Sequence, residues 1–150
     1  MGNICRSPMA DAILTKLAED AGIIEDIMID SAGTGSWHVG ERAHRGTLTV
    51  LNKHGIQYKG RARQLHQRDM TNFDYILAMD TTNLRKLKSM EPDVPEAELH
   101  LFMHYANEAD LTEVKEVPDP YYDGGFDAVY DLVYQGSEAL LAHIRKTHKL

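Results

Sequence analysis

The sequence predicts an α/β fold, a three-layer α/β/α sandwich around a short, mainly parallel sheet. Three observations carry that prediction. Short apolar runs suited to buried strands alternate with segments whose apolar residues recur at helical spacing, the pattern of a parallel sheet covered on both faces. The opening turn, Gly2 to Ser7, reads as a phosphate-cradling loop that leads directly into a helix. Such loops sit at the carboxyl ends of parallel strands, where ligand crevices form.

Taken in order, Ser7-Pro8 reads as the N-cap and first residue of a helix, with Met9, Ile13 and Leu17 on one stripe and Gly22 closing it. Asp26 to Asp30 carries Ile27, Met28 and Ile29, a run suited to a buried strand, and ends in the small-residue turn Ser31 to Gly35. A second helix fits Gly46 to Lys53, stopped by His54-Gly55. Phe73 to Asp80 is the strongest buried-strand run, followed by a helix containing Leu84 and Leu87. Leu99 to Met103 is a weaker strand. Tyr105 to Gly125 is polar and marked by Pro and Gly, a long loop of the kind that carries function. Phe126, Val129, Tyr130, Val133, Leu140 and Ile144 form one stripe of a last helix. No strand precedes the first loop, so the expected fold lacks its first strand within this chain.

A length of 150 residues fits one domain spanning 1–150. With 16 basic against 23 acidic residues the net charge is −7, which argues against a nucleic-acid partner. No apolar run approaches the ~20 residues that span a bilayer, and no basic-then-apolar leader is present, so no membrane partner and a cytoplasmic location are expected. One cysteine, Cys5, leaves neither an internal disulfide nor a multi-Cys zinc site. His100 and His104 have the spacing of a metal pair, but a strand end and a loop are expected there. No metal and no cofactor are expected, and oligomeric state is silent.

Three segments carry chemistry. In Gly2-Asn3-Ile4-Cys5-Arg6-Ser7, Gly2 permits tight curvature, so that successive amides form an anion nest. The following helix adds its positive end, and Arg6 supplies a planar fork able to grip two phosphate oxygens. In Val117-Pro118-Asp119-Pro120-Tyr121-Tyr122, flanking prolines stiffen the backbone of Asp119, a carboxyl suited to protonating a leaving oxygen. Tyr121 and Tyr122 could wall an aromatic pocket. Trp37, in a glycine-rich loop after Ser31, could line the same cleft.

Together these segments resemble the low-molecular-weight protein tyrosine phosphatases. In that family a loop of pattern Cys-x-Gly-Asn-x-Cys-Arg-Ser-Pro-Met-Ala precedes the first helix, and Gly2 to Ala10 match it without a break. The match continues through Asp30 to Thr34, Trp37 to Glu41, His54-Gly-Ile, Ala62-Arg-Gln64, Phe73 to Ile76, Met79-Asp80, Asn83-Leu84 and Asp119 to Tyr122. The resemblance implies the Rossmann-like phosphotyrosine phosphatase fold. It makes Arg6 the phosphate-gripping arginine and Asp119 the general acid, with Gly2, Asn3, Ile4, Cys5 and Ser7 completing the phosphate loop. Asn3, Ser7 and Ser31 would hold that loop in shape, and Trp37, Tyr121 and Tyr122 would wall the aryl-phosphate crevice.

The resemblance implies hydrolysis of a phosphotyrosine protein or a small aryl phosphate through a phosphocysteine intermediate. Its nucleophile stands two residues before the loop glycine, which falls immediately before Met1. Cys5 matches the second loop cysteine rather than the nucleophile. Gly60 departs from the histidine that many relatives carry before Ala-Arg-Gln, which removes one loop-supporting hydrogen bond. Two other readings stand beside the phosphotyrosine one. A catalytically inactive phosphate-binding truncation is the literal reading of the chain. A protein-arginine phosphatase is the other, against which Ile4 counts, because those relatives carry a small polar residue there. Arsenate reduction needs further cysteines that this chain lacks.

Overall fold

The computed structural model describes residues 2–150. Helix α1 runs from Arg6 to Asp20, α2 from Arg45 to Lys53, and α3 from Asp69 to Asn72. Strand β1 (Tyr75–Ala78), α4 (Thr81–Ser89) and β2 (Glu98–Leu101) form a parallel crossover unit, with Tyr75 opposite Glu98 and Ala78 opposite Leu101. Helices α5 (His104–Glu108), α6 (Pro120–Asp123) and α7 (Phe126–His148) follow.

The layers follow from the side chains of β1. Tyr75 and Leu77 pack into the main core, whose centre is Met9, Ile13, Leu51, Met103 and Val133 from α1, α2 and α7 and the turn after β2. Ile76 and Ala78 face a second cluster, Met70, Leu87, Leu84 and Leu99, made by α3, α4 and β2. Helices therefore cover both faces of the strand, which explains why its sequence is continuously apolar rather than alternating. Helix α7 can approach the turn after β2 because of Gly136, where a Cβ would come within 2.6 Å of the Phe102 ring and 2.8 Å of the Met103 sulfur.

Several expectations are corrected. Ser7 is not the N-cap of α1. Cys5 holds that position and Ser7 lies inside the first turn, because its hydroxyl turns back to Asn3. Residues 27–32 run without regular structure and join no ladder among the described residues; Met28 is 70% exposed. The apolar pattern there reports burial of Ile27 and Ile29 against the core, not strand pairing. The run predicted at 73–80 pairs only over Tyr75–Ala78, because Asp80 leaves the ladder to cap α4 by accepting from the Asn83 amide. The weaker strand is Glu98–Leu101 rather than Leu99–Met103. The predicted loop 105–125 contains α5 and α6, both too short to show periodicity. Among the described residues, no helix is long and apolar enough to cross a membrane.

Candidate active site

The loop Gly2–Ser7 meets α1 at the carboxyl end of β1, where a crossover sheet opens its ligand crevice. Its turn is taken by Asn3, at φ 63°, and not by Gly2 as predicted. Asparagine tolerates this left-handed conformation better than most residues, and here both ends of its amide are fixed. Ser7 Oγ donates to Asn3 Oδ1 at 2.6 Å, and Asn3 Nδ2 donates to the Ser31 carbonyl at 3.3 Å. Gly2 is required for another reason: the His38 ring lies where a Cβ would stand, at 2.3 Å from His38 Cδ2.

The next carbonyls are pinned from α2. The His44 amide donates to the Ile4 carbonyl at 2.6 Å, and Thr47 Oγ1, fully buried, donates to the Cys5 carbonyl at 3.1 Å. With these carbonyls turned outward, the loop's amides are free to face an anion, as in a nest. Ser31 extends the brace by donating to Asp11 Oδ2 at 3.0 Å, which also accepts from the Tyr58 hydroxyl at 3.2 Å. Burial raises the pKa of Asp11 despite those two hydrogen bonds.

Arg6 is 4% exposed and oriented from the side. Its Nη1 donates to Asp80 Oδ2 at 2.8 Å and to the Val117 carbonyl at 2.7 Å, while Nη2 stands 3.8 Å from Asp119 Oδ2. Burial alone would raise the pKa of Asp80, but the Asn83 amide and the Arg6 guanidinium outweigh it and hold the group ionised below the usual carboxylate range. Asp119 lies between Pro118 and Pro120 and caps α6, its Oδ1 accepting from the Tyr121 amide at 3.1 Å. One carboxylate oxygen is thus committed to the backbone and the other faces the arginine.

Cys5 is buried, and that burial together with nearby Asp119 pushes its thiol up to about 12 despite Arg6. A thiol held protonated in this way is a poor nucleophile.

The walls are looser. Trp37 is 63% exposed, its indole folded over Gly35. Tyr121 and Tyr122 meet edge to face at 5.2 Å between ring centres, and Tyr121 also contacts the His38 and His44 rings. Gly2 to Ser7, Asp119, Trp37, Tyr121 and Tyr122 line one cleft.

The low molecular weight phosphotyrosine protein phosphatase family matches residues 1–150. The chain belongs to this family. A relative, the low molecular weight protein-tyrosine-phosphatase YfkJ of Bacillus subtilis (strain 168), is 44% identical over 151 residues, covering 100% of this chain and 95% of the relative. PtpA of Staphylococcus aureus (strain MRSA252) is 41% identical over 150 residues, covering 100% and 93%. The crystal structure of YfkJ superposes with a TM-score of 0.92 at 42% identity, over 98% of this chain and 91% of that one. The crystal structure of DARP, drosophila arginine phosphatase, superposes with a TM-score of 0.87 at 34% identity, over 97% of this chain and 92% of that one.

Within this low-molecular-weight phosphatase frame, the structure brings together every predicted loop, acid and wall residue. Sequence reasoning gave no role to Asp80, Thr47, His44, Asp11 and Tyr58, although Met79-Asp80 was part of the matched pattern. A threonine in the first turn of a predicted helix and a histidine just before it were the available signals. His44 caps α2 through Nδ1, which accepts from the Gly46 amide at 2.9 Å. At Gly60 the Tyr58 hydroxyl occupies the space a Cβ would need, so the departure from histidine accompanies a tyrosine that braces Asp11 instead. His100, in register with Leu77 of β1, and His104 stack face to face at 3.9 Å. Among the described residues, no group of three or more His, Cys, Asp or Glu could hold a metal.

Proposed function

We propose that this protein hydrolyses phosphotyrosine and other aryl phosphate monoesters through a phosphocysteine intermediate, residues 1–150 acting as one domain. The observation that carries the proposal is the pairing of a buried, side-anchored Arg6 with a backbone-fixed Asp119 at 3.8 Å, beneath an anion nest. Family membership supports the same reading.

In this mechanism Arg6 and the loop amides hold the three non-bridging oxygens of the phosphoryl group. A thiolate at the position before the loop forms the S–P bond as the P–O bond to the aryl group breaks, and Asp119 gives its proton to the departing phenolate. Asp119 then takes a proton from water as that water attacks phosphorus. The S–P bond breaks, and inorganic phosphate and the thiolate are regenerated. Trp37, Tyr121 and Tyr122 contact the aryl ring, so the substrate is a phosphotyrosine protein or a small aryl phosphate.

The test compares release of phosphate from a phosphotyrosine peptide, p-nitrophenyl phosphate and a phosphoarginine peptide, using the protein with a cysteine in the position before Met1. The aryl esters are expected to turn over fastest, and Asp119→Asn should lower kcat by roughly 10²–10⁴-fold. Saturable phosphate binding with no turnover would establish the binding-only reading. Preference for the phosphoarginine peptide would establish the arginine-phosphatase reading.

A further inference from the structure

We infer that Arg42, Arg45 and Arg61 form a basic flank of the aromatic mouth that reads acidic residues beside the phosphotyrosine. The favoured protein substrates then carry Asp or Glu around the modified tyrosine. This deepens the phosphatase reading and rests on it.

Charge is segregated along this chain. Residues 42–68 contain seven Lys and Arg and no Asp or Glu, in a protein with 16 basic and 23 acidic residues. Two of the seven are neutralised within the fold: Lys53 pairs with Asp127, and Arg63 with Asp30 and Asp69. Of the other five, Arg42, Arg45 and Arg61 gather beside the mouth. All three are exposed and enter no ion pair among the described residues, and the neighbouring Glu41 is taken by His38 at 2.6 Å.

Local stability does not explain these charges. Arg42 lies directly opposite Arg61 in an antiparallel bridge, which puts both side chains on one face and sets like charges together, a destabilising arrangement. Arg45 opens α2, where a cation opposes the helix dipole, and no acidic residue offsets it in the first turn. Positions that break local rules without a compensating partner in the chain point to a functional partner outside it.

Backbone contacts tie the flank to the mouth. Arg61 Nη1 donates to the Gly40 carbonyl at 3.1 Å, in the loop that carries Trp37 and His38. The Gly40 amide donates to the Ala62 carbonyl, and the Ala62 amide to the Glu41 carbonyl, each at 2.8 Å. His44, between Arg42 and Arg45, sets its ring 5.7 Å from that of Tyr121. The three arginines are not among the residues lining the phosphoryl cleft, so their charge falls on parts of a bound protein outside it. A nucleic acid also offers negative charge, but a net charge of −7 repels a long polyanion. A short acidic stretch anchored by its phosphotyrosine meets only this flank.

The test measures binding of fluorescein-labelled peptides in which phosphonodifluoromethylphenylalanine, a non-hydrolysable mimic, replaces phosphotyrosine. One peptide has Asp and Glu on both sides of the mimic, the other Ser and Gln. Exposed ion pairs contribute little singly, so three together should make the acidic peptide bind about fivefold tighter at low salt. The gap should close at about 1 M salt, where charges are screened within a few ångströms. Arg42→Gln with Arg61→Gln should abolish the preference, as should Arg42→Gln with Arg45→Gln, which spares the Gly40 contact; both variants should still bind the neutral peptide. Equal affinity for the two peptides, or a preference that survives both double variants, overturns the inference and leaves the phosphatase reading standing. Equal competition by duplex DNA, or by the acidic peptide with plain tyrosine, assigns the arginines to a general anion surface and also overturns it. If neither phosphonate peptide binds, the phosphatase reading fails and the inference with it.

Discussion

The phosphate loop and the aromatic mouth line one cleft, yet they are held in opposite ways. Between Asn3 and Ser7, most of the loop is tied to another element: side chains to Ser31, Asp80 and Val117, carbonyls to His44 and Thr47. Trp37 and Tyr122 are largely solvent-exposed and, among the described residues, their aromatic ring contacts are with near neighbours in sequence. A phosphoryl group has one shape and one charge pattern, so a preorganised receptor suits it. The group beyond the phosphate varies, and an exposed, lightly held rim can adapt to it.

Substitutions should separate the two regions. Arg6→Ala should have the largest effect, because it removes the phosphate fork and leaves Asp80 and the Val117 carbonyl without their cation. Loss of a buried ion-pair partner costs about 3–5 kcal/mol; since Asp80 is 24% solvent-exposed, the lower end is expected. Urea unfolding should report that loss, and calorimetry should detect no phosphate binding. Thr47→Val keeps the shape but strands the Cys5 carbonyl, at a cost of about 1–2 kcal/mol, with a parallel loss of phosphate affinity. Trp37→Ala should leave stability within about 0.5 kcal/mol and inorganic phosphate affinity unchanged, while weakening an aryl phosphate such as phosphotyrosine. Equal losses for both ligands would erase the distinction between receptor and rim.

The smallest effect concerns acid. Burial first, and the neighbouring His104 second, lower the pKa of His100. A histidine with a depressed folded pKa stabilises the fold above its unfolded value near 6.5, and that stability is lost as the pH falls toward its folded value. Melting temperature should therefore decline below about pH 6.5, and His100→Gln should flatten the decline.

The loop and the Asp119 turn were legible in the sequence because each is a contiguous motif. Gly2 to Ser7 runs into a helix, and Asp119 sits between two prolines. The braces were not legible because they join distant residues: Arg6 reaches Asp80 across 74 positions and Val117 across 111, and Thr47 reaches Cys5 across 42. The same limit explains the misassigned strand at 26–30. Apolar spacing reports that Ile27 and Ile29 are inward, but pairing depends on what lies alongside. α5 and α6, at five and four residues, are shorter than the window in which a helical period can be seen.

The position of Arg6 gives the anion a second consequence. One guanidinium joins the capping aspartate of α4 to the Val117 carbonyl, and the same group faces Asp119 at the proposed phosphoryl site. Whatever loads the loop thereby becomes linked to the folding equilibrium itself. At one hundred times its Kd, a bound anion that ignores the unfolded chain adds about 2.7 kcal/mol. Inorganic phosphate, the product of the proposed reaction, would act in this way as a thermodynamic stabiliser. Melting curves recorded in phosphate buffer and in an anion-poor buffer thus describe two different reference states of the same protein.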